Sequence, residues 1–173
     1  MMRHSTAKWL GSLLALVVLA AGCGALHQKN STRKAETARV ATLVQQQLDA
    51  RKFEVEIEFM NPLGGPGRSV SGSGYSLTVE GDKINSHLPY QGTATAVPYG
   101  GGKVLTFEDD IDKYSESKGK DGSRVIEITT DNDEDVVEFR LTVFENGRVD
   151  LQVSSRNRES ISYNGQLNTS PEE

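Results

Sequence analysis

Hydrophobic residues recur at helical spacing near the start of the chain. In residues 35–50, "AETARVATLVQQQLDA", Val40, Leu43, Val44 and Leu48 fall on one face of a helix. Alanine and glutamine, which favour helices, fill most of the other positions. Because the apolar stripe is narrow, we expect the helix to lie against a sheet with its glutamines in solvent.

From residue 53 onward the hydrophobic residues occupy alternate positions instead. In "FEVEIEF", residues 53–59, apolar side chains alternate with glutamates, which predicts a half-buried antiparallel strand. Asn146-Gly147 is the strongest hairpin signal in the chain. Similar patterns predict further strands at 75–79, 83–88, 104–107, 124–130, 137–143, 149–153 and 161–163.

Two charged stretches between these strands lack the alternation. We predict a loop-like region at 108–122, "EDDIDKYSESKGKDG", and a turn at 131–135, "DNDED". No strand–helix alternation occurs, which excludes a parallel βαβ sheet. The predicted fold is therefore mainly β with one N-terminal helix, an antiparallel meander of about eight strands. A curled sheet or lipocalin-like barrel is favoured over a sandwich, because curling hides the sheet edges.

The first residues have the composition of a secretion signal. Arg3 and Lys8 precede an apolar run over residues 9–19, and small residues then lead to Cys23. The run is too short and wrongly flanked for a spanning helix. The small residues before Cys23, the only cysteine, resemble a bacterial lipobox. This resemblance implies cleavage before Cys23 and lipid on its sulfur; an ordinary signal peptide with an incidental thiol is the alternative.

These features divide the chain into four segments. We expect a lipoprotein signal peptide at 1–22, a flexible tether at 23–34, a single β domain at 35–167 and a polar tail at 168–173. Lipid on Cys23 would make the membrane a partner of the protein through that anchor.

The charge of the chain argues against polyanionic partners. The formal net charge is −5, and it becomes −7 without residues 1–22, which contain Arg3, Lys8 and no acid. An acidic domain is a poor match for nucleic acid or for anionic lipid headgroups.

Three separated blocks of the chain resemble one protein family. They are "GYSLTVEGDKINSHLPY" (74–90), "SHLPYQGTATAVPYGGGKVLTFE" (86–108) and "GRVDLQVSSRNRESISYNGQL" (147–167). The blocks are similar to the DUF4251 family of lipoprotein-like proteins from Bacteroides and relatives, over most of residues 35–167. The resemblance implies a small secreted domain without an assigned activity. In the phylum that contains Bacteroides, an acidic cluster after the lipidated cysteine marks lipoproteins of the cell surface. Because residues 24–34 have no such cluster, we expect the protein to face the periplasm at the outer membrane.

The glycine-rich and acidic motifs do not meet the requirements of known cofactor or metal loops. Lys103 in "VPYGGGKV" is followed by valine and a predicted strand, whereas a phosphate loop needs Ser or Thr and a helix. Val136 and Thr142 stand where an EF-hand starting at Asp131 needs glycine and glutamate. We therefore expect no cofactor and no metal site.

Catalysis is not indicated either. His87 is the only histidine of the predicted β domain, which is too few for a zinc cluster. Although His87 is available as a base, no serine stands in the G-x-S-x-G pattern of an activated nucleophile. The 24 acidic residues leave a carboxylate pair open but do not single one out. We predict that the protein is not an enzyme.

A concave binding site is the functional hypothesis that the sequence favours. The predicted ligand-binding residues, all within the family-like blocks, are His87, Tyr90, Tyr99, Phe107 and Tyr163. The alternative is that they are core and corner residues, with tyrosine hydroxyls bonded to backbone groups. We expect a non-enzymatic binding module for a small apolar or amphipathic ligand; the alternative is a structural or assembly accessory of the cell envelope.

Overall fold

The computed structural model describes residues 32–93, 105–119, 121–131 and 135–169. The chain divides into two compact units, Met1–Arg39 and Val40–Glu173. The described part of the first unit, 32–39, is helical, and the Thr37 hydroxyl donates to the Arg33 carbonyl (3.0 Å).

One helix and ten strands occur among the described residues. Helix α1 covers 32–49. The strands are β1 (Lys52–Pro62), β2 (Arg68–Ser69), β3 (Ser76–Glu80), β4 (Lys83–His87), β5 (Thr106–Asp110), β6 (Lys113–Lys118), β7 (Arg124–Asp131), β8 (Val136–Val143), β9 (Arg148–Ser155) and β10 (Arg158–Leu167).

The strands form a single antiparallel sheet that curls into a half-barrel. Their order is β5-β4-β3-β1-β10-β9-β8-β7-β6, with β2 paired to β1. The terminal strands β5 and β6 are joined by only Ile111 and Asp112. The Ile111 amide donates to the Asp82 carbonyl beside β4 (2.8 Å), and the Asp112 amide donates to the Thr129 carbonyl of β7 (3.0 Å). The two ends of the sheet are therefore brought together, which confirms the predicted mainly β meander and curled sheet.

The core fills the inner face of the sheet. Val55, Leu77 and Ile84 are fully buried, and each alternates with more exposed neighbours along its strand. Phe107 of β5 contacts Phe139 of β8 with ring centroids 6.3 Å apart, although five strands separate β5 from β8 in the sheet order. The inner face is packed with side chains at this level.

The predicted apolar stripe of α1 is buried in part, since Val40 and Leu43 are only half-buried. Val44 and Leu48 are 3% and 1% exposed. Gln47, however, is not a purely solvated glutamine, because its amide donates to the Asn168 carbonyl (2.8 Å) at the end of β10. Arg51 ends the turn after α1 with φ +50°, a left-handed conformation unusual for a residue other than glycine.

Turn glycines set the hairpins that the sequence indicates. Gly81 (φ +62°) stands in the two-residue turn between β3 and β4. Gly147 (φ +81°) ends the turn between β8 and β9, where the Phe144 amide donates to the Arg148 carbonyl (2.9 Å). Positive φ costs a glycine little, so both turns form without strain.

The loop-like prediction for 108–122 is wrong for most of its length. Glu108–Asp110 ends β5, and "KYSESK" forms β6. Both are terminal strands with half-exposed or exposed residues, and charges on such strands oppose pairing with other chains. The apolar alternation used to find strands is therefore missing. Two-residue β2 gave no pattern either, and the predicted turn at 131–135 includes 132–134, which lie outside the described residues.

Candidate functional site

Tyr163 is a buried residue with its hydroxyl on the backbone. It lies on the inner face of β10, 1% exposed, and donates to the Pro89 carbonyl (2.6 Å). Burial raises the pKa of the Tyr163 phenol far above the usual range for tyrosine. The hydroxyl therefore holds the segment after β4 against β10.

Tyr90 reaches the same region from the segment after β4. Its hydroxyl lies 3.1 Å from the Thr93 carbonyl and 3.2 Å from the Glu159 carbonyl. Partial burial, followed by the nearby Glu159 carboxylate, raises the pKa of Tyr90. The Thr93 amide donates to the Glu159 carboxylate (3.0 Å), and this hydrogen bond lowers the pKa of Glu159. These contacts fasten residues 88–93 to the start of β10.

The other predicted residues do not join this pair on one surface. Phe107 faces the interior against Phe139, whereas His87 is on the outer face of β4, next to the Tyr75 ring at 5.3 Å between centroids. The His87 Nδ1 is 3.5 Å from the Thr106 hydroxyl. Tyr99 and Cys23 lie outside the described residues. The tyrosine hydroxyls take the backbone partners that the alternative interpretation describes, and ligand contacts by these five residues stay a prediction.

A ligand-sized groove lies at the opposite end of the half-barrel, beside α1. Its volume is about 500 Å³, within the usual range for small-molecule sites. Its apolar lining residues are Val44, Leu48, Val143 and Phe144. We call this feature the α1 groove.

Charged residues also line the α1 groove. Arg124 has a side chain only 19% exposed, and its guanidinium bonds to the Asp49 carboxylate at the end of α1 (2.6 Å). The same guanidinium also pairs with Glu116 of β6. Arg124 thus joins α1, β6 and β7 through two carboxylates. Lys118 and Glu145 add exposed charges at the rim.

Tyr114 of β6 lies near the ion pair of Arg124 with Glu116 and extends this polar cluster. The Arg51 guanidinium lies 4.2 Å from the centre of the Tyr114 ring, a cation–π contact. Burial, followed by the charge of Glu116, raises the pKa of Tyr114. Its hydroxyl is buried and has no hydrogen-bond partner among the described residues.

Sequence reasoning missed the α1 groove because its parts are far apart in the chain. Asp49 and Arg124 are 75 positions apart, and Glu116 lies in the stretch predicted as a loop. The only sequence signal was the narrow stripe of α1, which indicated that this helix covers part of the sheet.

The described residues contain no conventional metal or membrane-span signature. No group of three or more His, Cys, Asp or Glu side chains in this part of the chain is placed to hold a metal ion. In the same residues, no helix has both the length and the hydropathy that a membrane span needs.

The fold places the protein in the class of antiparallel β proteins with one curled sheet, here with a helix packed beside it. The family model DUF4251, described as a domain of unknown function, matches residues 35–167. The chain belongs to the DUF4251 family. It resembles in fold the crystal structure of a DUF4251 family protein from Bacteroides eggerthii, with a TM-score of 0.60 and 15% identity over 77% of this chain and 89% of that one. No curated protein matches the sequence significantly.

Proposed function

We propose that this protein is an envelope lipoprotein whose β domain binds a small apolar or amphipathic ligand without catalysing a reaction. The observation that supports this proposal best is the α1 groove, which is lined by both apolar and charged residues. Such a lining suits a molecule with an apolar chain and a polar head, since pockets bury apolar surface and orient it with a few polar groups.

Phe144 is the residue best suited to test ligand binding in the groove. The Phe144 side chain is half-buried and lines the α1 groove. The residue lies in a turn that backbone hydrogen bonds hold in place. Phe144→Ala should therefore leave the sheet intact while removing ligand contact. Calorimetry with dodecanoic acid, dodecylamine and lysophosphatidylcholine below their micelle concentrations should show binding of at least one, weakened about tenfold by Phe144→Ala.

Phe59→Ala is the matched control, because Phe59 is 37% exposed on the outer face of β1, away from the groove. It should leave amphiphile binding unchanged. Absence of binding to all three amphiphiles, together with ligand-free native mass spectra of protein purified from its host, would overturn the proposal. Equal weakening by both variants would show that the ligand does not occupy the α1 groove.

The anchor is tested separately from the ligand. Cys23→Ser should abolish lipidation and move the protein from the membrane to the soluble fraction. Continued membrane association of the Cys23→Ser variant would contradict the lipoprotein assignment. Crosslinking in the host distinguishes the remaining alternative, since capture of one defined envelope protein with no bound amphiphile would favour an assembly accessory.

A further inference from the structure

The outer face of β8, β9, β10 and β1 presents two cross-strand rows of side chains. The strand register sets the first row as Thr142, Asp150, Asn164 and Phe59. It sets the second row as Arg140, Gln152, Ser162 and Asn61. We call these two rows the outer platform. Neighbouring strands in a sheet are about 4.8 Å apart, so the side chains of each row are evenly spaced on a rigid support.

Side-chain hydrogen bonds align the centre of the outer platform. The Asn61 amide donates to the Asn164 side-chain oxygen (3.0 Å), and the Asn164 amide donates to the Asp150 carboxylate (2.8 Å). Each amide keeps further donors or acceptors facing solvent. Gln152, which is exposed, makes no side-chain hydrogen bond with the part of the chain that the structure describes.

The two charges of the outer platform already have partners. Arg140 bonds to Glu127 (2.7 Å), and Asp150 lies 3.7 Å from the Arg148 guanidinium. The groups left to meet a ligand are mainly neutral amides and hydroxyls. This chemistry does not select a charged molecule.

A depression and an exposed ring complete the surface. Most of the platform lines a hollow of about 430 Å³ over β8, β9 and β10. Phe59 stands opposite Asn164 at its β1 side and is 37% exposed. A neutral, hydroxyl-rich ring compound could place its hydroxyls on the amides and an apolar face on the phenyl ring.

We propose that the outer platform is a binding site for a neutral oligosaccharide lying across the strands. Paired hydroxyls of a sugar match the bidentate geometry of Asn and Gln amides and of the Asp150 carboxylate. The central position of β9 and β10 argues against a peptide strand as the ligand, because added strands need a free sheet edge. This site is on the outer face, distinct from the α1 groove, so the two proposals stand or fall separately.

The test is calorimetry of the full mature chain with cellohexaose, maltohexaose, xylohexaose and mannohexaose. At least one should bind, and about 0.5 M NaCl should not weaken it, since the oligosaccharide carries no charge for salt to screen. The paired variant Gln152→Ala/Ser162→Ala should lower the affinity about tenfold. The variant should fold normally, because both side chains are exposed and the only hydrogen bond lost is that of Ser162 to the Asn61 carbonyl (3.5 Å).

Thr78→Ala/Asn85→Ala is the matched control, a directly paired set on the outer faces of β3 and β4. It should not change oligosaccharide affinity, and neither should Phe144→Ala, whereas Phe59→Ala should reduce it. Failure of all four hexasaccharides to bind would overturn the proposal. Binding that is lost in salt, or that is equal in the Gln152→Ala/Ser162→Ala variant and the wild type, would also overturn it.

Discussion

A single phenol illustrates how one residue fixes a loop in this protein. Tyr163 is among the largest fully buried side chains, and its hydroxyl satisfies the carbonyl of Pro89, a residue 74 positions away. A buried carbonyl without a partner is costly, so this hydrogen bond matters more than one at the surface. Tyr163 therefore holds the segment that follows β4 against β10, through its hydrogen bond to Pro89.

Removal of the Tyr163 hydroxyl should destabilise the domain. We expect Tyr163→Phe to lower the free energy of unfolding by about 1–2 kcal/mol, because the Pro89 carbonyl loses its buried donor. Urea denaturation measures the change. Tyr75→Phe is the control, since the Tyr75 hydroxyl makes no hydrogen bond with the described residues and its loss should have little effect.

The same phenol should make stability depend on pH in alkali. Burial raises the pKa of Tyr163, so above about pH 10 the unfolded chain loses a proton that the folded chain keeps. Stability is then fully present below pH 10 and falls above it, by up to about 1.4 kcal/mol per pH unit for one group. Tyr163→Phe should show a shallower decline in urea denaturation between pH 9 and 11. An unchanged decline would assign the effect to other groups.

At the scale of elements, helix α1 is attached to the sheet by contacts of two kinds. Val44 and Leu48 supply apolar burial, while Asp49 reaches Arg124 on β7. The guanidinium also pairs with Glu116 on β6, so the Arg124 side chain links α1, β6 and β7. Partly buried ion pairs of this kind are costly to break, because the remaining charge stays shielded from water.

Two arginines on the sheet allow a partly buried ion pair to be compared with an exposed one. Arg124→Met should lower the free energy of unfolding by about 2 kcal/mol, because Glu116, 29% exposed, loses its partner. Arg140→Met breaks a pair in which both side chains are more than half exposed, so its effect should stay within about 0.5 kcal/mol. Urea denaturation of both variants checks the contrast, and equal effects would contradict the proposed role of Arg124.

At the scale of the whole molecule, the short link between β5 and β6 determines the curl. Ile111 bonds toward β4 and Asp112 toward β7, so a continuous stretch of chain changes partner within two residues. The Asp112 carboxylate adds a bond from the Asp131 amide (2.6 Å) at the end of β7. The two edges of the sheet are held together at this point.

Asp112→Ala should loosen this closure without unfolding the sheet. Loss of the carboxylate should speed hydrogen exchange at the Asp131 amide and lower stability by about 1 kcal/mol. Asp110→Ala breaks only the exposed pair with Lys83 (3.1 Å) and should leave exchange at Asp131 unchanged. Unaltered exchange in the Asp112→Ala protein would show that the backbone bonds alone close the sheet.

Elements whose side chains are buried on one face could be predicted from the amino-acid sequence. Strands β1, β8 and β9 and helix α1 were predictable because alternation and helical spacing are local properties of the chain. Strand β6 was not, because an exposed terminal strand has no apolar face to record in its residues.

The residues that share a surface could not be predicted, because the folded sheet sets which of them become neighbours. Strand register placed His87 outside and Tyr163 inside, although both lie in the family-like blocks. The α1 groove and the outer platform arise from the curl and from pairing between distant strands. Neither appears as a motif, because their residues become neighbours only when non-local strand pairing sets which positions face each other.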